Sequence, residues 1–312
     1  MSSGVRRVLV GGGTGLVGKH LTKALAARGY DVVIISRKPQ QQQPQSATSE
    51  QITWQEVERD GLPECHAVIN LAGASVLNLA KRWSDAAATE VLDSRISTTS
   101  LLSKAIAAAS PKPKVFVTAS GVGVYPAFPT AEASPEVDES AACGSDFFAK
   151  LVREWEAAAQ PAVGAGVRHV AMRTGAVLAP DGGVVAQAKL PFLLGLGGPF
   201  GSGQQLFPWC HIQDVVNMYI HAMETESLQG PVNLVAPTVA TNAEYTQAFA
   251  KAVHRFAIVP MPAFVIRALF GPDLATMLLC GQRVVPRKAL DSGFTFSFPT
   301  IDKAMHDVVV NA

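Results

Sequence analysis

The chain has 312 residues, 48% of them hydrophobic and 16% charged, and its formal net charge at pH 7 is +1. This composition supplies enough apolar side chains for a buried core and excludes an intrinsically disordered chain. A charge this close to zero gives no reason to expect nucleic acid or a membrane as a partner. We therefore predict a small-molecule substrate, and the sequence leaves a homodimer open.

The first apolar strand, at residues 7–10, begins only a few residues into the chain. This leaves no room for a signal peptide, so we expect a cytoplasmic location. No apolar stretch approaches the roughly 20 residues that a membrane-spanning helix needs. The four cysteines form no pair or cluster with metal-ligand spacing, and we expect no metal site.

Strand-length apolar runs alternate with helix-length segments through the first half of the chain. The predicted strands are residues 7–10, 32–35, 67–71, 115–119 and 169–173, and the predicted helices are residues 16–28, 86–109 and 147–159. This alternation predicts an α/β fold: a Rossmann-type, doubly wound parallel sheet with a smaller C-terminal lobe. The polar run at residues 40–50 predicts a loop.

The predicted boundary between the two domains follows a change of pattern after Gly175, where loops rich in glycine and proline become frequent. We assign residues 1–178 to an NADP-binding Rossmann domain and residues 179–312 to a smaller substrate lobe. Residues 205–236 are expected to return to the first domain. Two late helices are predicted, around residues 262–270 and 273–280.

A glycine-rich turn between the first strand and the first helix is the strongest chemical signal. Gly12 allows a tight turn, Gly15 lets the backbone approach a pyrophosphate, and Gly18 lets the helix pack closely on the strand. The N-terminus of the helix then supplies N–H donors and a partial positive charge. The residues predicted to bind a dinucleotide here are Gly12, Thr14, Gly15, Leu16, Val17 and Gly18.

The end of the second strand indicates which dinucleotide binds. A site for NAD normally presents an Asp or Glu there, but this chain has Ser36, Arg37 and Lys38. Ser36 can donate a hydrogen bond to a 2′-phosphate, and Arg37 can pair with it through two N–H groups. We therefore predict NADP(H) as the cofactor.

Several further motifs carry a family resemblance. They are Asn70-Leu71-Ala72-Gly73, Arg82-Trp83, Asp93-Ser94-Arg95-Ile96, Phe147-Phe148-Ala149, Trp155-Glu156, Arg173-Thr174-Gly175 and the segments 191–214, 281–286 and 293–294. Together they cover nearly the whole chain, and it resembles the atypical, epimerase-like branch of the extended short-chain dehydrogenase/reductase superfamily. Members of this branch are described as NADP-dependent oxidoreductases with a C-terminal extension and mostly unassigned substrates.

The resemblance also implies further contacts with the cofactor. It places Leu71 and Ala72 beside the cofactor at the end of the strand predicted for residues 67–71, Glu90 and Arg95 close to it on the following helix, and Val177 just past the strand predicted for residues 169–173. From the residues alone, Arg95 can reach a phosphate or a ribose, although an ordinary surface ion pair with Glu90 is an equal alternative.

The expected catalytic residues are incomplete. Typical members of the superfamily use a Ser or Thr at the end of the fifth strand, which Ser120 matches, and a Tyr followed four residues later by Lys. None of the four tyrosines has such a Lys, and Asp146 or Phe148 occupies the expected position. We take Ser120 and Asp146 as catalytic candidates, with Asp146 held protonated by burial.

Tyr125 and His211 are two further candidates for the proton donor. Each candidate also has a structural interpretation: Asp146 as a helix N-cap, Tyr125 as core packing and His211 as a buried, hydrogen-bonded histidine. The sequence favours an NADP-dependent oxidoreductase acting on a small carbonyl or alcohol. The alternative is a non-catalytic NADP(H)-binding redox sensor, or a regulatory or assembly protein.

Overall fold

A computed structural model describes residues 6–37, 49–76 and 83–310 of the chain. The strands are β1 Arg7–Gly11, β2 Asp31–Ser36, β3 Ser49–Thr53, β4 Ala67–Asn70, β5 Val115–Gly121, β6 Glu136–Val137, β7 Arg168–Thr174, β8 Ala176–Ala179, β9 Trp209–His211, β10 Gly230–Leu234 and β11 Arg283–Val284. The helices are α1 Leu16–Ala27, α2 Trp54–Asp60, α3 Asp85–Ala108, α4 Phe147–Ala157, α5 Gln160–Gly164, α6 Gly183–Leu193, α7 Ile212–Glu224, α8 Asn242–Ala252, α9 Ala263–Leu279, α10 Arg287–Asp291 and α11 Ile301–Val310.

Seven strands form the central sheet, in the order β10-β7-β5-β4-β1-β2-β3, and each pairing between them is parallel. The order reverses between β1 and β4, as in doubly wound folds. Buried strands of this kind are rich in β-branched residues, as in the Asp-Val-Val-Ile-Ile-Ser run of β2. The predicted α/β fold with a doubly wound parallel sheet is confirmed.

The two faces of the sheet bury alternate residues of each strand. Val8 and Val10 of β1 pack with Leu21 and Leu25 of α1 on one face, where α7 also lies. Leu9, between them, faces the opposite side with residues of α2, α3 and α5. This two-sided burial fixes the register of the sheet and hence the edge at which the strands end.

A second cluster, remote from the sheet, joins β8, β9, α6, α8 and α11. The extension beyond β10 contributes α9, which is two helical segments joined at Gly271 (φ 75°) and Pro272. The two predicted late helices therefore occur with a break between them, because Gly271 adopts a left-handed conformation and Pro272 starts the second segment. The division into two domains remains a prediction.

Some sequence predictions need correction or lie outside the described residues. Lys38, Arg82 and most of the loop predicted for residues 40–50 fall outside the described ranges. The last two residues of that predicted loop are not in a loop, because Ser49 and Glu50 begin β3, which pairs with β2 at the sheet edge. In the described ranges, no helix is long and apolar enough to cross a membrane.

Candidate functional site

The glycine-rich turn after β1 is held in a shape that only glycine allows at two positions. Gly12 has φ 75°, and a Cβ there would lie 2.8 Å from the backbone nitrogen of Ala72. A Cβ on Gly18 would lie 2.3 Å from the carbonyl oxygen of Gly12. The turn therefore packs directly against the chain that follows β4, and α1 packs directly against the turn.

Helix α1 begins at this turn with its first N–H groups uncapped by side chains. Gly15 is the N-cap, and no side chain of the described residues accepts from the first turn. Thr14 and Gly15 are exposed, and Leu16 and Val17 are half-buried. Exposed N–H donors at a helix N-terminus form a site suited to a phosphate group.

The segment after β4 lies beside the glycine turn. The Leu71 N–H donates to the Gly11 carbonyl oxygen at 2.8 Å, and the Ala72 N–H donates to Asn70 Oδ1 at 3.1 Å. Asn70 Nδ2 donates to Thr99 Oγ1 of α3 at 3.0 Å. Leu71 and Ala72 are thus fixed between the glycine turn and α3.

Arg95 of α3 is the charged group closest to this segment. Its Nη1 donates to the carbonyl oxygens of Ala74 and Val91, both at 2.9 Å, and its guanidinium lies 5.0 Å from the ring centroid of Trp155. Burial lowers the pKa of Arg95 to about 10, and no carboxylate of the described residues offsets this. A half-buried cation without an anionic partner among the described residues provides a place for a ligand phosphate.

The remaining predicted cofactor residues occupy three places around the turn. Ser36 ends β2 half-buried, and Arg37, which follows it, is exposed. Glu90 is exposed on α3 and makes no ion pair with Arg95 among the described contacts. Val177 lies in β8, and its carbonyl oxygen is 3.3 Å from the position of a Cβ on Gly183, which also abuts Leu16. The cofactor role of each residue stays a prediction.

Ser120, at the carboxyl end of β5, is the first member of a buried polar network. Its hydroxyl donates to Glu156 Oε1 of α4 at 2.6 Å. Arg173 of β7 donates to both oxygens of the same carboxylate, from Nε to Oε1 and from Nη2 to Oε2, each at 2.8 Å. Arg173 Nη1 donates to the Tyr125 hydroxyl at 2.9 Å, and that hydroxyl donates to Asn233 Oδ1 at 2.8 Å.

The electrostatics of the network follow from its burial. Burial lowers the pKa of Arg173, but the hydrogen bonds and negative charge of Glu156 outweigh this and raise that pKa overall. Burial raises the pKa of Tyr125, so its hydroxyl keeps its proton at neutral pH. Because the only hydrogen of the Ser120 hydroxyl is directed at Glu156, the oxygen offers its lone pairs to a bound substrate.

The candidate proton donors are all engaged in structural hydrogen bonds. Asp146 is exposed, so the burial expected for it is not found, and its Oδ1 instead caps α4 by accepting from the Ala149 N–H at 2.8 Å. Tyr125 is fully buried in the network. His211 caps α7 and contacts Asp307 Oδ2 at 3.1 Å, and burial lowers its pKa. These contacts match the structural interpretations of all three residues, and the catalytic role of Asp146 remains untested.

Phe148, the alternative occupant of the tyrosine position, belongs to an aromatic cluster at the start of α4. Its ring lies 5.8 Å from Trp83 and 5.2 Å from Phe147, measured between centroids. Residues Ile266, Phe270 and Leu274 of α9 pack against this cluster. The side of the site where a tyrosine is expected is therefore apolar and covered by the C-terminal extension.

Sequence reasoning missed the roles of Glu156, Arg173 and Asn233. Arg173 carried a usable signal, since a charged residue interrupts the apolar run of β7 and must find a partner when that strand is buried. Glu156 and Asn233 gave no such signal, because their contacts join elements far apart in sequence. Groups of residues able to hold a metal ion are absent from the described part of the chain.

Comparison with known proteins identifies the family. Residues 8–235 match the NAD dependent epimerase/dehydratase family, and residues 261–308 match a domain of unknown function, DUF1731. The epimerase family protein SDR39U1 of Homo sapiens is 45% identical over 97% of this chain and 99% of its own length. An epimerase family protein of Mycobacterium tuberculosis is 37% identical over 96% of both chains.

Solved structures agree with this comparison. The crystal structure of human SDR39U1 with NADPH has a TM-score of 0.90 at 45% identity, over 98% of this chain and 100% of that one. A nucleoside-diphosphate sugar epimerase of Corynebacterium glutamicum has a TM-score of 0.74 at 27% identity, over 97% of this chain and 58% of that one. The resemblance to epimerase-like short-chain dehydrogenases is confirmed: the chain belongs to the NAD dependent epimerase/dehydratase family.

Proposed function

We propose that this chain binds NADP(H) at the glycine turn and acts as an oxidoreductase on a small alcohol or carbonyl compound. The observation that carries the proposal is the juxtaposition of the uncapped start of α1, the Leu71–Ala72 segment and the half-buried guanidinium of Arg95. The NADPH bound to the human relative supports it. When bound, NADP(H) supplies the group that donates or accepts a hydride.

The residues of this chain have separable roles in the proposal. The N–H groups at the start of α1 and the Arg95 guanidinium receive the phosphates. Ser36 and Arg37 receive the 2′-phosphate, since the exposed Arg37 guanidinium stands where NAD-specific sites carry a carboxylate. The apolar cluster of Trp83, Phe147 and Phe148 excludes water from one side of the site.

Ser120 orients the substrate in this proposal. Its oxygen accepts a hydrogen bond from a substrate hydroxyl, while Glu156 and Arg173 hold the serine in place. An alcohol fits this arrangement directly. A carbonyl substrate would require the serine to turn its hydrogen away from Glu156, which costs a charge-assisted hydrogen bond.

Cofactor choice is tested by titrating the protein with NADPH and with NADH while following tryptophan fluorescence and thermal stability. We expect tighter binding of NADPH. Arg37→Ala removes a charge-assisted contact of about 1.5–3 kcal/mol, so NADPH should bind roughly 10- to 100-fold more weakly, with little change for NADH. Arg59→Ala, an exposed arginine of α2, is the control. Equal loss of both cofactors in Arg37→Ala would contradict the assignment of the 2′-phosphate.

A second candidate is a non-catalytic protein that binds NADP(H) as a redox sensor or assembly factor. The observation that favours it is that Asp146, Tyr125 and His211 are each held in internal hydrogen bonds. A panel of alcohols with NADP⁺ and of carbonyl compounds with NADPH, followed at the absorbance of NADPH, separates the two. Turnover that Ser120→Ala abolishes supports the enzyme, whereas tight binding with no turnover of any compound supports the sensor.

Three predictions stay proposals: that the substrate is a small molecule, that the chain can form a homodimer, and that it is located in the cytoplasm. One relative, from Arabidopsis thaliana, is named as chloroplastic. Gel filtration with light scattering measures the oligomeric state directly. Imaging of the tagged protein in cells measures its location.

A further inference from the structure

Two segments of the C-terminal half expose large apolar side chains side by side. Their exposed fractions run from 63% at Leu194 to 82% at Phe256. We define the apolar patch as Leu190, Leu194, Leu196, Phe256, Ile258 and Phe264. At ~200 Å² for a whole ring, the two phenylalanines alone present roughly 300 Å² of apolar surface, which is already the size of the largest patch on many monomers.

The two segments are fixed to each other through their backbones. The Met261 N–H donates to the Pro199 carbonyl oxygen, and the Gly201 N–H donates to the Met261 carbonyl oxygen, both at 2.9 Å. Arg255 Nε donates to the Leu193 carbonyl oxygen at 3.1 Å. The patch is therefore one surface held by hydrogen bonds, and its side chains are exposed because the backbone directs them outward.

Charge around the patch has a single sign along both segments. Residues 182–213 and 245–272 contain Lys189, Lys251, Arg255 and Arg267 but no Asp or Glu, although the whole chain has 26 basic and 25 acidic residues. Of these four cations, Lys251 lies near a carboxylate of another element, since its Nζ is 3.8 Å from Asp302 Oδ1 of α11. Two copies joined through this patch would bring like charges together, whereas an anionic surface complements it.

The form of the patch also distinguishes between occupants. Each of its side chains is more than half exposed, so they project from the surface and do not line a groove. Projecting apolar side chains on segments that also carry Lys and Arg suit the boundary between headgroups and acyl chains of an anionic bilayer. A protein partner would instead need pockets that match six separate projections.

We propose that the apolar patch docks the protein peripherally on membranes that contain anionic phospholipid. Overall charge gave no reason to expect a membrane partner, but the local charge around the patch does. The docked site would also be accessible to apolar molecules, because Phe200 and Met261 beside the patch pack in the cluster that contains Trp83 and Phe148.

The test is sedimentation of the full chain with vesicles of phosphatidylcholine, with and without phosphatidylserine. We expect binding only with phosphatidylserine, and loss of binding at high salt. The variant Phe256→Ser/Ile258→Ser should bind at least about tenfold more weakly, since it removes two of the six apolar side chains of the patch. The control Leu290→Ser/Val310→Ser changes two apolar residues, 47% and 49% exposed, that lie outside the patch.

A charge variant tests the electrostatic half of the proposal. Lys189→Gln/Arg267→Gln should weaken binding to the phosphatidylserine vesicles about fivefold per cation removed. Thermal melts of every variant confirm that it is folded. Equal binding by the patch and control variants, or no binding to either vesicle, overturns the proposal. So does light scattering that finds a dimer which Phe256→Ser/Ile258→Ser dissociates, because the patch would then join two copies of the chain.

Discussion

Removing the cation of the buried network should destabilise the fold strongly. Arg173 is 7% and Glu156 19% exposed, and Arg173→Met leaves this carboxylate without its two N–H donors. Breaking one side of a buried ion pair costs about 3–5 kcal/mol. At ~2.1 cal/mol/K of unfolding entropy per residue, 312 residues give about 0.65 kcal/mol/K, so we expect the Tm to fall by about 5–8 °C.

The assay is thermal unfolding followed by circular dichroism at neutral pH, with urea denaturation as a second measure. Glu156→Gln and the double variant complete a cycle, and the double variant should be more stable than the sum of the single losses implies, because neither ion is then left alone. Arg59→Met is the control, since its pair with Asp60 is 72% and 58% exposed and the Tm should not change. The reasoning would be refuted if the losses of stability in the cycle were additive, or if Arg173→Met lowered the Tm by less than about 2 °C.

Three further results are expected. Gly18→Ala should lower the free energy of unfolding by ~1–3 kcal/mol and weaken NADPH binding, because the new Cβ would lie 2.3 Å from the Gly12 carbonyl oxygen. The control Gly164→Ala, with open space around it, should do neither. Burial lowers the pKa of His169 to about 4, so the unfolded chain binds a proton at this residue at a higher pH than the folded chain does. Stability therefore falls as the pH drops from about 6.5 to 4. His169→Gln should remove up to ~3 kcal/mol of that fall, measured by urea titrations at several pH values. Ser120→Ala should cost about 1.5–3 kcal/mol in a urea titration, less than Arg173→Met, because Glu156 loses one hydrogen bond and keeps both bonds from Arg173.

The sheet could be predicted from the sequence because its strands are nearly continuous apolar runs separated by amphipathic helices. The predicted bounds of β1, β2 and α1 differ from those observed by one residue at each end at most. Strand β3 was missed because Ser-Glu-Gln-Ile-Thr lies at the sheet edge and has little apolar content. Helix α2 was missed although Thr53 and Glu56 form a capping box, a signal that is readable three residues apart in the sequence.

Some features of the site could likewise be predicted from the sequence, and others could not. The shape of the glycine turn could be predicted because backbone freedom at Gly12 and close approach at Gly18 depend on residue type alone. Two features depend on which elements fold together: the distance of Arg95 from the carboxylates of the described residues, and the outward projection of the apolar patch. No local pattern in the sequence records these contacts.

The network around Ser120 is hard to explain as a means of stability. Replacing a buried ion pair by apolar residues of similar size is often neutral or stabilising, so Glu156 and Arg173 do not by themselves strengthen the fold. What they do achieve is a single orientation for the Ser120 hydroxyl, fixed from α4 and from β7 at once. Because the residues at the expected tyrosine position, Asp146 and Phe148, offer a helix cap and an apolar ring, Ser120 is the polar group of this site whose direction the fold controls. Substrate orientation, then, is where the chemistry of this chain should first be sought.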